Sequence, residues 1–115
     1  MSDCLFCKIA AGEIPSDKVF EDDCVLVFRD ISPQAPTHLL AIHRKHYAAV
    51  HDIPPEEVAT LMGRLTAALC ISLRRVGLDK SGYRLVVNSG EIAGQTVPHL
   101  HIHVLGGREL AWPPG

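Results

Sequence analysis

The sequence has no apolar run close to the ~20 residues that a membrane-crossing helix needs, which excludes a helical span. Its first residues, Met1-Ser2-Asp3-Cys4, offer neither a basic stretch nor an apolar core, so no secretory signal is expected and a cytoplasmic location is. Charge of one sign is also missing: the formal net charge is −2, with basic and acidic residues mixed along the chain. A protein that binds duplexes by neutralising phosphates would show a basic face, so nucleic-acid binding is not expected. There is no P-loop, no Gly-x-Gly-x-x-Gly and no paired-carboxylate motif. Internal repeats and low-complexity tracts are absent. Cysteines are few, only Cys4, Cys7, Cys24 and Cys70, and without an export signal they are expected as reduced thiols. Histidine is the exception to this sparseness, with seven in 115 residues. It titrates near neutral pH and is the commonest metal ligand, so the excess points toward chemistry.

A chain of 115 residues makes one domain, 1–115, with one sizeable core. Residues Cys4 to Ala11 predict a short helix closed by Gly12. Lys18 to Glu21 and Cys24 to Arg29 predict a strand pair around Asp22-Asp23, and His38 to His43 a third strand. Pro54-Pro55-Glu56-Glu57 opens a long helix, since proline suits a first turn and glutamates oppose the dipole there. Val58, Leu61, Met62, Leu65, Leu69, Leu73 and Val76 recur at three- and four-residue steps as one core-facing stripe, and Gly77 stops it. Tyr83 to Val87 and His99 to Leu105 predict two more strands. The early turns are too short for crossover helices, so the fold class is α+β with a mostly antiparallel sheet of about five strands.

The strongest signal is His99-Leu100-His101-Ile102-His103-Val104-Leu105. Alternate residues of a strand share a face, so the three imidazoles would line one side roughly 6–7 Å apart. Leu100, Ile102 and Val104 would then fill a core on the other. Three readings stay open on spacing alone: nucleophilic catalysis, a metal site and a solvated face.

This row resembles the His-φ-His-φ-His-φ-φ pattern (φ apolar) of the histidine triad family. Asp30-Ile31-Ser32-Pro33-Gln34-Ala35-Pro36-Thr37-His38 resembles that family's nucleoside loop. Gly94-Gln95-Thr96-Val97-Pro98 and the ending Trp112-Pro113-Pro114-Gly115 are similar to its purine-nucleoside phosphoramidase branch. The resemblance implies a homodimer whose sheets join, the tail with Trp112 reaching the partner's site. It implies hydrolysis of adenosine 5′-phosphoramidates, or of adenylates joined to an acyl group, releasing AMP. His101 would attack the α-phosphorus and His103 bind its oxygens, with His99, His38 and Thr96 also in the catalytic set. Gly94, Gln95 and Thr96 would give backbone N–H donors and a hydroxyl, that of Thr96 contacting the leaving nitrogen, and Asn88 a contact to phosphate or ribose. Asp30 would accept the ribose hydroxyls, with Phe6, Ile9, Phe28 and Ile31 sandwiching the base and Val97 beside them. No catalytic metal or other catalytic cofactor is expected.

Cys4-Leu5-Phe6-Cys7 is a CxxC pair. With no strand before it, a thioredoxin-like role is discounted. In bacterial members of the family that resemble this chain, Cys4, Cys7, His46 and His99 correspond to a structural zinc site. His43 stands where the family usually has proline, which leaves the histidine ligand open between neighbours. Two other classes compete with the hydrolase: a nucleotide-binding adaptor, and a zinc hydrolase using the triad as ligands. Dinucleoside polyphosphate hydrolases share the triad but resemble this chain less at 94–98 and at its end.

Overall fold

The apolar stretches around residues 25–28 and 39–42 become central strands because both faces of the sheet are covered. The computed structural model describes residues 3–115. Met1 and Ser2, the start of the segment read as no secretory signal, lie outside the described residues. The strands are β1 (Lys18–Glu21), β2 (Val25–Arg29), β3 (Thr37–His43), β4 (Tyr83–Val86) and β5 (His101–Gly106). They form one antiparallel sheet in the order β1-β2-β3-β5-β4. Helix α1 (Leu5–Ala10) precedes them; α2 (Pro55–Arg75) and a short α3 (Leu78–Ser81) lie between β3 and β4.

Period-two alternation divides the sheet's side chains between two cores. Val25, Val27, Leu39, Ala41, Ile102 and Val104 meet the buried stripe of α2, which comprises Leu61, Leu65, Ala68, Leu69 and Leu73. Leu26, Phe28, Leu40 and Ile42 meet Phe6 and Ile9 of α1 on the opposite face. Val58, expected in the α2 stripe, is exposed at its edge, while Ala68 and Ser72 are buried instead. No helix among the described residues is long and apolar enough to cross a membrane.

Several boundaries differ from the sequence expectation for local reasons. Cys4 is the N-cap of α1 rather than its first residue, its sulfur accepting the Cys7 N–H at 3.4 Å. β2 begins at Val25 because the Asp22 carboxylate accepts the N–H groups of Cys24 and Val25, closing the turn. β5 begins at His101, not His99. The His99 N–H donates to the Val97 carbonyl at 2.8 Å, so residues 97–99 form a turn ahead of the strand. α3 was not foreseen. Gly77, at φ 77°, reverses the chain after α2, and buried Leu78 then plugs the space over Gly106.

Candidate active site and metal cluster

A cavity of about 250 Å³ opens on the α1 face of the sheet. It is walled by Phe6 and Ile9 from α1, Phe28 from β2, Asp30 and Ile31 from the loop after β2, and Thr96, Val97, His101 and His103. β5 places His101 and His103 there because they alternate with core residues Ile102 and Val104. Their rings are 4.9 Å apart between centroids. Phe6 meets the His101 ring edge-on at 4.9 Å and Phe28 at 5.8 Å, making an apolar slot beside the imidazoles. A larger hollow of about 480 Å³ near Tyr83, Arg84 and Arg108 contains none of the histidines.

The hydrogen bonds fix the tautomers. The Gln34 backbone N–H donates to His38 Nδ1 at 3.0 Å, so a neutral His38 carries its proton on Nε2. His38 Nε2 lies 2.9 Å from His103 Nδ1, to which it donates, and 3.5 Å from an Asp30 oxygen. Nδ1 of His103 is therefore an acceptor, and its Nε2–H becomes a donor on a ring that lines the cavity. His101 is set the opposite way. Its Nδ1–H donates to the His99 carbonyl at 2.7 Å, leaving Nε2 with the lone pair. The two neighbouring imidazoles thus present one nucleophilic nitrogen and one hydrogen-bond donor. Burial keeps them neutral: it pushes His103 down to about 4, helped by His101 and His38 nearby and opposed by Asp30. Burial also lowers His101 and His38, against the pull of Asp30 and, for His101, of the bond to His99.

His99 turns to a second cluster. Its Nε2–H donates to the His43 carbonyl at 2.8 Å, which leaves Nδ1 as a lone-pair donor. Nδ1 lies 3.4 Å from Cys4 Sγ, 3.5 Å from Cys7 Sγ and 3.1 Å from His46 Nδ1, and Cys7 Sγ is 3.3 Å from His46 Nδ1. Bonds of about 2.0–2.3 Å in tetrahedral array put ligand atoms roughly 3.3–3.8 Å apart, so these four atoms fit a zinc-like cation. The histidine is His46 rather than His43. His43 Nδ1 is used instead by the Lys45 N–H at 3.0 Å.

Most of the sequence candidates converge, but some do not. His99 does not share the cavity with His101 and His103; only its carbonyl acts there. His38 lies behind His103 and is buried. The amides of Gly94 and Gln95 are not available as donors, because they bond the carbonyls of Glu91 and Gly90 at 3.0 and 3.1 Å. The Gln95 side chain is spent on the loop too, accepting the Gly90 N–H and donating to the Ala48 and Val97 carbonyls. That leaves Thr96 as the member of the trio lining the cavity. Asn88 and Trp112 are not among the lining residues, and Trp112 is 81% exposed. Sequence reasoning missed Leu5, Ile14, Pro15, Ser16, Arg29 and Leu40, which also line the cavity. Leu40 could have been found, since it alternates with His38 on β3.

The HIT domain family model matches residues 11–110, and the chain belongs to that family. It is similar to an uncharacterised HIT-like protein of Synechococcus elongatus, 50% identical over 113 residues that cover 98% of this chain and 97% of that one. Among solved structures it is similar to a HIT family hydrolase from Legionella pneumophila, with 50% identity, a TM-score of 0.93, and 98% of this chain and 100% of that one covered. A histidine triad protein from Clostridium difficile matches at 44% identity and a TM-score of 0.91, with 96% of each chain covered.

Proposed function

We propose that this chain, folded as one domain, is a purine nucleoside phosphoramidase that hydrolyses adenosine 5′-phosphoramidates through a nucleotidyl-histidine. The observation that carries the reading is the opposed pair of tautomers at His101 and His103. His101 Nε2 attacks the α-phosphorus, the P–N bond breaks, and the amine departs with a proton drawn from solvent, which the later attack of water returns. Water then attacks the same phosphorus, releasing AMP and restoring the imidazole. The His103 Nε2–H and the Thr96 hydroxyl bond the phosphoryl oxygens, where charge grows in the transition state. Asp30 accepts the ribose hydroxyls, while Phe6, Ile9, Phe28 and Ile31 hold the purine, which covers the fully exposed Ile31. Asn88, two residues beyond β4, reaches the phosphate or ribose.

The Cys4, Cys7, His46 and His99 cluster fits a structural zinc, with no open position for substrate. When bound, the ion would tie α1 to the loop after β3 and to the turn ahead of β5. The reaction itself needs no cofactor. A homodimer accounts for one of the two edges of the sheet, that of β4. β4 has a neighbour on one side only, and Tyr83, Leu85 and Val87 leave an alternating apolar row exposed there. In such a dimer Trp112 reaches the partner's cavity. A chain whose cysteines work as thiols suits the reducing cytoplasm.

The test is AMP release from adenosine 5′-phosphoramidate by the native protein and by His101→Ala. Turnover by the first and none by the second is expected. Tight AMP binding without turnover by the native protein would instead make it a nucleotide-binding adaptor.

A further inference from the structure

Helix α1 serves two sites at once. Cys4 and Cys7 enter the metal cluster, while Phe6 and Ile9 line the nucleotide cavity. His99 is shared in the same way. Its imidazole belongs to the cluster, and its carbonyl holds His101 Nδ1–H at 2.7 Å. A change at the two sulfurs therefore has two short routes to the nucleophile: the Phe6 ring, 4.9 Å from that of His101, and the His99 backbone. The sulfurs are also reachable. Both cysteines are half-buried, and a second cavity of about 530 Å³, lined in part by Cys4 and His46, opens beside them. All four ligand atoms lie within 4.8 Å of one another. Three residues apart at the start of a helix, the thiols can close a disulfide of about 2.05 Å by turning away from His46 and His99.

We propose that Cys4 and Cys7 form an oxidation site for hydroperoxides that uncouples the nucleotide cavity. One thiolate attacks the peroxide oxygen, giving a sulfenic acid and releasing an alcohol, or water from hydrogen peroxide. The second thiol attacks that sulfur, forming the disulfide and expelling water. Two thiols lose two electrons and one hydroperoxide gains them. The disulfide takes both sulfurs from the cation site, and His46 and His99 alone do not hold the ion. The His99 ring loses its partners at Nδ1, Phe6 turns with the helix start, and the seat of His101 loosens.

The experiment uses the zinc-loaded Cys24→Ala/Cys70→Ser variant, in which only Cys4 and Cys7 remain, titrated with hydrogen peroxide. Neither substituted residue lines the cavity or the cluster. Expected are a mass loss of two hydrogen atoms and one zinc per chain delivered to a chromogenic chelator. The His101 ring resonances should shift, and AMP affinity should weaken about tenfold or more, equivalent to ~1.4 kcal/mol. Dithiothreitol with zinc should reverse all four. The proposal is overturned if the disulfide forms and zinc leaves while the His101 resonances stay put. It is overturned equally if the thiols resist peroxide, or if far-UV circular dichroism shows the whole fold lost with oxidation. The affinity readout rests on the nucleotide reading above; the mass, zinc and resonance readouts do not. If oxidation moves His101 while the reduced form fails to turn over phosphoramidate, the enzyme reading falls and this one stands.

Discussion

Gly106→Ala is a test of how α3 locks β5 in place. A Cβ built on Gly106 would lie 2.5 and 2.8 Å from the two methyl carbons of Leu78 and 3.2 Å from its Cγ. Leu78 is 3% exposed, so its side chain cannot swing into solvent without leaving the core. Overpacking of this kind costs about 1–3 kcal/mol. Unfolding entropy of ~2.1 cal/mol/K per residue gives roughly 0.24 kcal/mol/K for 115 residues, so Tm should fall by about 4–12 °C. Leu78→Ala alone leaves a cavity and should cost about 2–5 kcal/mol. In the double variant the new methyl occupies part of that cavity. Its loss should fall short of the sum of the single losses by about 1–2 kcal/mol, a coupling of the size contacting residues show. Calorimetric scans at one fixed protein concentration measure all four proteins, since a dimer's Tm depends on concentration. Gly106→Ala within 1 °C of the native Tm, together with additive single effects, would refute the packing argument.

Acid should weaken the fold through His103. Burial holds its folded pKa at about 4, below the ~6.5 of an unfolded histidine, so the unfolded chain binds more protons between those values. Stability is full above pH ~6.5 and declines as pH falls toward 4; urea titrations of native and His103→Asn proteins should show a shallower decline in the variant. Asp30→Ala should raise the Kd for AMP about 10–100-fold, through loss of a charged acceptor for two hydroxyls. The 2′,3′-dideoxy analogue should bind native and variant proteins alike, and a loss equal to that of AMP would remove Asp30 from the ribose. Chelation of the zinc-loaded protein should lower its Tm, because an ion held only by the folded chain stabilises it. An unchanged Tm would leave the Cys4, Cys7, His46 and His99 cluster without an ion. Leu85→Arg puts a charge in the apolar row on β4, and light scattering should report a monomer; a persistent dimer would move the interface elsewhere.

Periodicity and residue type alone settle part of this molecule. Alternation in 101–104 dictates that His101 and His103 face away from Ile102 and Val104, because a strand has no other way to display them. The apolar steps from Leu61 to Leu73 dictate the α2 stripe for the same kind of reason, at a period of 3.6. The rest follows from the folded arrangement, because it depends on partners far along the chain. His99 follows the row's spacing but precedes the strand, drawn off by Cys4 and Cys7 from the chain's start and by the His43 carbonyl. His46 rather than His43 joins it, a choice made by the turn after β3 and not by residue type. Gly94 and Gln95 look like phosphate donors in one dimension, yet their loop consumes their amides. The proton on His103 is assigned by a backbone N–H at Gln34, two hydrogen bonds away through His38. Local pattern selects which face a side chain occupies, and long-range hydrogen bonding selects which atom of it is left to react.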